Sequence, residues 1–299
     1  MKIAVTGSSG LIGTALVTAL HAAGHDVVRL VRRPARRPDE VTWDPAAGTV
    51  DVDGLAGVQA AVNLAGAGVG DHRWNDAYKQ TVLQSRVDST RTLAKALAAL
   101  DPLPQVLVSG SAVGFYGDRG DEPLTEASGP GVGFLAEVCL AWEDAATTAS
   151  DAGIRVALAR TGLVLSPEGG ALGRLLPLAR LGLAGPLGSG RQWWPWITLD
   201  DEVRALMFLL EQDVDGPVNL SAPQPARNLE LTRAIGAALH RPTLIPAPGF
   251  GLRIVLGEFA GEVLASQRML PARLLEAGFA FHHQTPAQAA AWTVAPNAS

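Results

Sequence analysis

A glycine-rich turn near the start of the chain constrains the fold more than any other feature of the sequence. Residues 2–6 (KIAVT) form a short apolar run, three glycines follow at Gly7, Gly10 and Gly13, and residues 14–20 (TALVTAL) favour a helix. A strand that passes through a tight turn into a helix points the free N–H groups of the helix toward the turn, where a phosphate can bind. The pattern therefore predicts a Rossmann-type domain that binds a dinucleotide.

Each glycine of this turn has its own expected role. Gly7 permits the turn, Gly10 lets the backbone approach a pyrophosphate closely, and Gly13 lets the helix pack against the strand. The residues expected to contact the phosphates are Gly7, Ser9, Gly10, Leu11, Ile12 and Gly13. The alternative is that the glycines only form a tight structural turn, but their place between a strand pattern and a helix pattern favours binding.

Strand and helix patterns alternate through the first half of the chain. Strands are predicted at Lys2–Thr6, Asp26–Val31, Ala60–Leu64, Gln105–Ser109 and Arg155–Ala159, with helices at Leu11–Ala23, Gln80–Leu100 and Phe134–Ser150. A small hairpin is predicted between the second and third strands. Such alternation implies a doubly wound, mostly parallel sheet with helices on both faces, which is an α/β fold.

The end of the second strand indicates which dinucleotide is bound. An NAD-binding domain usually has a carboxylate there for the ribose hydroxyls, about 20 residues beyond the glycines. This chain has Arg32 and Arg33 instead. A guanidinium group pairs well with phosphate oxygens, so we expect NADP(H), with Arg32 as the first contact to the 2′-phosphate and Arg33 as the second. The alternative is a solvated basic loop.

The pattern changes after about Leu165, where glycine and proline become frequent. We predict an NADP-binding Rossmann domain over residues 1–165, with some later chain returning to its sheet. Residues 166–299 are predicted to form a smaller, mixed substrate and C-terminal domain, in which 246–292 is a helical segment. A helix is predicted at Leu199–Glu211, where three carboxylates in the first turn suit the helix dipole.

Composition excludes several classes of function. The formal net charge is −5, which gives no general attraction to nucleic acid. Cys139 is the single cysteine, so the chain has no internal disulfide, and the six histidines show no metal-binding spacing. No leader pattern and no membrane-spanning apolar stretch are found in the sequence, so we expect a cytoplasmic protein without membrane contact.

Further motifs resemble the extended branch of the short-chain dehydrogenases/reductases. They are residues 61–66 (AVNLAG), 109–117 (SGSAVGFYG), 160–165 (RTGLVL) and 196–201 (WITLDD). Residues 73–74 (RW), 85–87 (SRV) and 134–139 (FLAEVC) narrow the resemblance to an atypical "epimerase family" subgroup, which is similar to NAD-dependent epimerases/dehydratases and has a short C-terminal domain of unassigned role. The resemblance implies further cofactor contacts at Asn63, Leu64, Ala65, Gly66 and Ser109.

The usual catalytic pair of the short-chain enzymes is missing. Most of them carry Tyr-x-x-x-Lys on one helix, where the lysine lowers the tyrosine pKa. Here Val82 follows four residues after Tyr78, and Gly120 follows four after Tyr116. Where the resemblance would place the pair, the chain has Phe134 and Val138. The usual proton relay therefore cannot operate.

Other residues are candidates for catalysis and for substrate contact. Ser111, Tyr116 and Glu137 are candidate catalytic groups, although each also suits an ordinary structural role. Arg73, Trp74, Trp193 and Trp194 are candidate pocket residues, with packing as the alternative for the tryptophans.

Two functions follow from these observations. The first is an NADP(H)-dependent oxidoreductase or epimerase that acts on an unidentified small polar molecule, by fold analogy a sugar nucleotide. The second is a non-catalytic NADP(H)-binding sensor or regulatory protein. A monomer and a homodimer are both compatible with the sequence.

Overall fold

The structure is a computed structural model, and it describes residues 1–170, 173 and 175–295. The strands are β1 (Lys2–Thr6), β2 (Asp26–Val31), β3 (Glu40–Asp44), β4 (Thr49–Val50), β5 (Ala60–Asn63), β6 (Val106–Ala112), β7 (Pro123–Leu124), β8 (Arg155–Thr161), β9 (Leu163–Leu165), β10 (Trp193–Trp194), β11 (Trp196–Thr198), β12 (Gly216–Leu220), β13 (Ala226–Arg227) and β14 (Arg268–Met269).

The α-helices vary greatly in length. They are α1 (Leu11–Ala22), α2 (Asp76–Ala98), α3 (Phe134–Asp144), α4 (Thr147–Asp151), α5 (Leu176–Arg180), α6 (Leu199–Glu211), α7 (Asn228–Ala238), α8 (Gly249–Leu256), α9 (Ala260–Leu264), α10 (Ala272–Glu276) and α11 (Pro286–Val294). No described helix has both the length and the apolar composition needed to cross a membrane.

A large, mostly parallel sheet confirms the predicted α/β fold class. Its eight strands have the order β12-β8-β6-β5-β1-β2-β3-β4. Strand β1 pairs in parallel with β2 and β5, β2 with β3, and β5 with β6, whereas β3 and β4 form the predicted antiparallel hairpin. The strand order reverses direction at β1. In a doubly wound sheet, ligands usually bind beside such a reversal, at the edge formed by the carboxyl ends of the strands.

Two compact units make up the chain. The first comprises Met1–Ala112, Glu137–Arg160 and Val203–Val218. The second comprises Val113–Ala136, Thr161–Glu202 and the described chain from Asn219 onward. Residues 113–136 and 161–165, which the predicted division places in the first domain, fall in the second unit, and Val203–Val218 of the later chain falls in the first.

Each unit has an apolar core of its own. In the first unit Ala4 of β1, Leu107 of β6 and Leu93 of α2 are fully buried, which explains the uninterrupted apolar runs of the central strands. In the second unit Leu165, Trp196 and Leu231 are almost fully buried. The predicted helix over Phe134–Ser150 consists of α3 and α4, with a break between Asp144 and Thr147.

Candidate functional site

The glycine turn has no room for side chains. Gly7 has a φ of 64°, and a Cβ atom there would lie 2.6 Å from the backbone carbonyl carbon and oxygen of Leu64. A Cβ atom on Gly13 would lie 2.2 Å from the Gly7 carbonyl oxygen. Gly10 precedes α1, and no side chain caps that helix N-terminus. The first N–H groups of α1 therefore remain available to an anion.

A buried hydrogen-bonded chain fixes the neighbouring strand end. The Thr6 hydroxyl donates to Asn63 Oδ1 at 2.6 Å, and Asn63 Nδ2 donates to Thr90 Oγ1 at 2.7 Å. The backbone N–H groups of Leu64 and Ala65 both donate to Thr6 Oγ1, at 3.1 and 3.2 Å. The Asn63 side chain thus ties β1, β5 and α2 together, and it holds residues 64–65 beside the turn.

A large cleft of about 1350 Å³ opens along this edge of the first unit. Its lining includes eight residues predicted to contact the cofactor, namely Gly7, Ser9, Gly10, Arg32, Arg33, Leu64, Ala65 and Gly66. Five others do not line it, namely Leu11, Ile12, Gly13, Asn63 and Ser109. The cleft brings the glycine turn and the two arginines together, as a site for phosphate groups requires.

The two arginines at the end of β2 differ in their contacts. Arg33 donates from both terminal nitrogens to the carboxylate of Glu40, at 2.7 Å each. Arg32 is exposed in the cleft, and no hydrogen bond or ion pair joins its side chain to another described residue. Arg32 is therefore the guanidinium group that can reach a ligand without first breaking an ion pair.

Glu40 was not foreseen from the sequence, and it organises the basic loop. Its carboxylate is almost fully buried and accepts hydrogen bonds from Arg33, from Arg29 and from the backbone N–H of Arg36. These contacts, with those from Arg33 the strongest, lower the pKa of Glu40 from 4.5 to about 2. A carboxylate on β3 thereby shapes the loop that follows β2.

We expect the stability of the wild type to depend on Glu40 ionisation. Because the pKa of Glu40 is lower in the folded protein, its carboxylate stabilises the fold above about pH 4.5, and this contribution is lost as the pH falls toward about 2. The difference in free energy of unfolding between wild type and Glu40→Gln should therefore shrink over this range. Urea denaturation at a series of pH values measures it, and a difference that stays constant with pH would contradict the assignment.

The motif residues Ser85 and Arg86 hold the loop after β5. Ser85 Oγ accepts from the Ala67 N–H at 3.0 Å, and Arg86 donates to the carbonyl oxygens of Ala67 and Val82. The Arg86 guanidinium lies 5.0 Å from the ring centre of Trp142. Burial lowers the pKa of Arg86. These residues support one wall of the cleft rather than forming a surface ion pair.

The motif residues Arg73 and Trp74 lie just before α2. Trp74 is buried, and its indole N–H donates to the Val69 carbonyl oxygen at 2.7 Å, whereas Arg73 is exposed. Neither residue lines the large cleft. Their contact with a substrate stays a prediction.

Ser111 belongs to a buried charged cluster near the carboxyl end of β6. Its hydroxyl donates to Glu143 Oε1 at 2.6 Å. Arg160 in turn donates to both carboxylate oxygens of Glu143, at 2.8 and 2.9 Å. The side chains of Glu143 and Arg160 are only 11% and 5% exposed. The sequence analysis did not identify Glu143, and it named Arg160 only as the first residue of the motif 160–165, without its partner.

The other two catalytic candidates lie in different surroundings. Tyr116 is fully buried in the second unit, and its hydroxyl lies 2.7 Å from Asn219 Oδ1 and 3.1 Å from the Thr125 carbonyl oxygen. Glu137 is exposed on α3. Catalytic roles for these residues stay predictions, and Ser111 is the candidate with a buried ionisable partner.

The two pocket tryptophans of the second unit also differ. Trp194 is buried, and its indole N–H donates to the Val263 carbonyl oxygen at 3.2 Å. Trp193 is partly exposed, and its indole N–H donates to Asp121 Oδ1 at 2.6 Å. Trp194 therefore packs in the core of the unit, while Trp193 is partly exposed and has the guanidinium groups of Arg227 and Arg268 at 4.5 and 5.0 Å from its ring centre.

One cluster in the second unit contains potential metal ligands. Atoms of Asp200, Asp201 and His283 lie within 4.8 Å of one another. However, Asp201 already accepts from the backbone N–H groups of His282 and His283, at 2.8 Å each. We therefore assign this cluster to anchoring residues 282–283 against the start of α6.

Comparison with known proteins agrees with this architecture. Residues 3–221 match the NAD dependent epimerase/dehydratase family, and residues 247–293 match a domain of unknown function, DUF1731. An epimerase family protein of Mycobacterium bovis is 47% identical over 289 residues, which cover 96% of this chain and 95% of the relative.

Two solved structures are similar over nearly the whole chain. Human epimerase family protein SDR39U1, crystallised with NADPH, has a TM-score of 0.91 and 35% identity, with 98% of this chain and 99% of that chain covered. A nucleoside-diphosphate sugar epimerase from Corynebacterium glutamicum has a TM-score of 0.81 and 38% identity, with 98% of this chain but 58% of that chain covered.

Proposed function

The chain belongs to the NAD dependent epimerase/dehydratase family, and we propose that it binds NADP(H) in the cleft of its first unit. The observation that carries this proposal is Arg32, an exposed guanidinium group without an ion-pair partner among the described residues, in the same cleft as the glycine turn. The human relative crystallised with NADPH supports the same choice of cofactor.

The residues of the cleft suit the parts of such a cofactor. The N–H groups at the start of α1 would bind the pyrophosphate, because no protein side chain occupies them and the glycines keep the turn open. Arg32 would bind the 2′-phosphate. Leu64, Ala65 and Gly66 would lie along the adenosine side. When bound, NADP(H) supplies or accepts a hydride.

Replacing Arg32 with alanine is expected to weaken NADPH binding by about thirtyfold and to change NADH binding less than about twofold, because one charge-assisted phosphate contact is lost. Nicotinamide fluorescence titration measures both affinities. Arg37→Ala is the matched control, since it removes the same charge from the same loop but lies outside the cleft lining.

Two results of this titration would overturn the proposal. Equal affinity of the wild type for NADH and NADPH would remove the preference for the phosphorylated cofactor. If neither nucleotide bound, the glycine turn would be a structural feature only.

We further propose oxidoreductase or epimerase activity on a small polar substrate, with a sugar nucleotide as the first class to test. The similarity to a nucleoside-diphosphate sugar epimerase supports that class. Among the candidate acid/base groups, the contacts favour Ser111, because its hydroxyl donates to the ionisable Glu143. Tyr116 would first have to release its buried partners.

A non-catalytic NADP(H) sensor is the second candidate function. The missing Tyr-x-x-x-Lys pair and the fully buried Tyr116 favour it. Absorbance of NADPH during incubation with carbonyl compounds tests for net reduction, and nuclear magnetic resonance of sugar nucleotides incubated with the protein and NADP(H) tests for epimerisation, which leaves the cofactor unchanged overall. Together the two assays separate the two candidates. Oxidation of NADPH that Ser111→Ala abolishes would establish the enzyme, whereas tight NADPH binding with no turnover across the panel would favour the sensor.

A further inference from the structure

Arg86 of α2 carries a half-buried guanidinium group that no carboxylate of the described chain neutralises. Its Nη1 atom donates to the carbonyl oxygens of Ala67 and Val82, at 2.9 and 3.0 Å. No other hydrogen bond and no ion pair joins its side chain to a described residue. Charged groups that are withdrawn from water are normally paired with an opposite charge. Arg86 therefore lacks the counter-ion that its burial calls for.

The titratable groups that face Arg86 do not supply this counter-ion. They are the thiol of Cys139 on α3 and the phenol of Tyr78 on α2. Burial raises the pKa of Cys139 to about 12, and burial, followed by the charge of Asp71, raises the pKa of Tyr78. Both groups are therefore neutral near pH 7. A cation in such surroundings attracts an anion more strongly than one in bulk water does.

One edge of the Arg86 guanidinium group remains open. Nε and Nη2 donate to no described residue, and neither atom is fully enclosed by the described chain. The central carbon lies 5.0 Å from the ring centre of Trp142, a cation–π contact that fixes the position of the group. The open edge presents two parallel N–H donors, which is the arrangement that binds two oxygens of one anion.

Two glycines define where this edge lies. A Cβ atom on Gly66 would lie 3.1 Å from Arg86 Cγ and 3.2 Å from Arg86 Cζ, so Gly66, which lines the large cleft, leaves room for the arginine behind it. A Cβ atom on Gly110 would lie 2.7 Å from Trp142 Cζ2. Gly110 directly precedes Ser111. The Arg86–Trp142 pair thus contacts the cleft wall and the strand that carries the candidate acid/base group.

We propose that the Nε–Nη2 edge of Arg86 binds a carboxylate group of the substrate. One cation with one open edge matches the single charge and the two coplanar oxygens of a carboxylate, whereas a phosphate monoester carries roughly two charges near pH 7. The inference rests on the proposed oxidoreductase or epimerase function and narrows its substrate class to carbonyl compounds or sugars that bear a carboxylate. All residues of this site belong to the first unit.

Calorimetric titration of the full-length, NADPH-saturated protein with oxamate tests the site. Oxamate resembles a 2-oxo acid but has an amide in place of the reducible carbonyl, so binding is measured without turnover. We expect Arg86→Gln to weaken oxamate binding by at least about tenfold, because a charge-assisted, two-point contact is lost. Arg91→Gln is the matched control on the same helix, since Arg91 is exposed and pairs with Asp88, and it should change the affinity by less than about twofold.

Two further measurements separate binding from a structural role of Arg86. Arg86→Lys keeps the charge and can still donate to the carbonyl oxygens, but it loses the planar edge, so we expect oxamate binding to weaken by about threefold or more while NADPH binding changes by less than about twofold. This variant also carries the test if Arg86→Gln does not fold. Oxamide, which has the same shape without the charge, should bind at least about tenfold more weakly than oxamate.

Three results would overturn the carboxylate site. They are the absence of oxamate binding to the NADPH-saturated wild type at millimolar concentration, equal oxamate affinity of the wild type and a folded Arg86 variant, and inorganic phosphate binding tighter than that of oxamate. Fluorescence titration with NADPH alone tests the cofactor proposal separately. Loss of NADPH binding with oxamate binding intact would count against the cofactor site, whereas the reverse would count against the carboxylate site.

Discussion

Replacement of Gly13 by alanine is expected to reduce NADPH affinity by on the order of a hundredfold, because the start of α1 would lose several charge-assisted contacts to the pyrophosphate. The added methyl group would lie 2.2 Å from the Gly7 carbonyl oxygen and 2.9 Å from the Ser8 Cα atom. Both are backbone atoms and cannot rotate away. The helix must therefore move away from the turn.

Gly261→Ala is the matched control for this experiment. Gly261 also lies in a helix, but a Cβ atom there would meet nothing within 4 Å. We expect unchanged NADPH binding and a stability gain of up to about 1 kcal/mol from helix propensity. Fluorescence titration gives the affinities, and circular dichroism confirms folding. Wild-type affinity in a folded Gly13→Ala variant would show that the turn is not the phosphate site.

Arg160→Met is expected to destabilise the protein by about 3–5 kcal/mol, because Glu143 would remain as a buried carboxylate without its cation. The two side chains are almost completely enclosed, and Arg160 contributes hydrogen bonds to both carboxylate oxygens. Ser111 alone cannot replace them. Urea denaturation of the purified variant measures the loss in the free energy of unfolding.

The matched control is Arg91→Met in the same unit. Arg91 pairs with Asp88 at 3.7 Å, and its side chain is 52% exposed, so we expect a loss of no more than about 1 kcal/mol. A double variant, Glu143→Gln with Arg160→Met, should recover part of the loss, because no unpaired charge remains buried. If Arg160→Met and Arg91→Met lowered the free energy of unfolding equally, burial would not be what makes the Glu143–Arg160 pair important for stability.

Local sequence patterns predicted the first unit well. The strands β1 and β2 and the helix α6 begin and end at the predicted residues, because apolar periodicity and the glycine turn specify them locally. In the second unit, α8 begins at Gly249, inside the stretch 246–292 that was predicted to be helical. Pro248 directly precedes that helix, where proline is well tolerated.

Side-chain pairing across the fold was harder to predict than the elements. Glu137 and Glu143 lie on the same helix, and only the rotation of α3 decides that Glu137 is exposed while Glu143 meets Ser111. Similarly, the residues next to Arg32 and Arg33 do not indicate which of the two will form an ion pair. The difference arises because β3 pairs with β2 and thereby brings Glu40 to Arg33.

The discontinuous first unit has a consequence for synthesis on the ribosome. Strand β12 is the neighbour of β8 at one edge of the large sheet, and it begins only at Gly216. A nascent chain that has emerged as far as residue 165 therefore exposes β8 as an unpaired edge, which is a site where strands of other chains can add. Until translation passes β12, we therefore expect the first unit to be prone to aggregation through this edge.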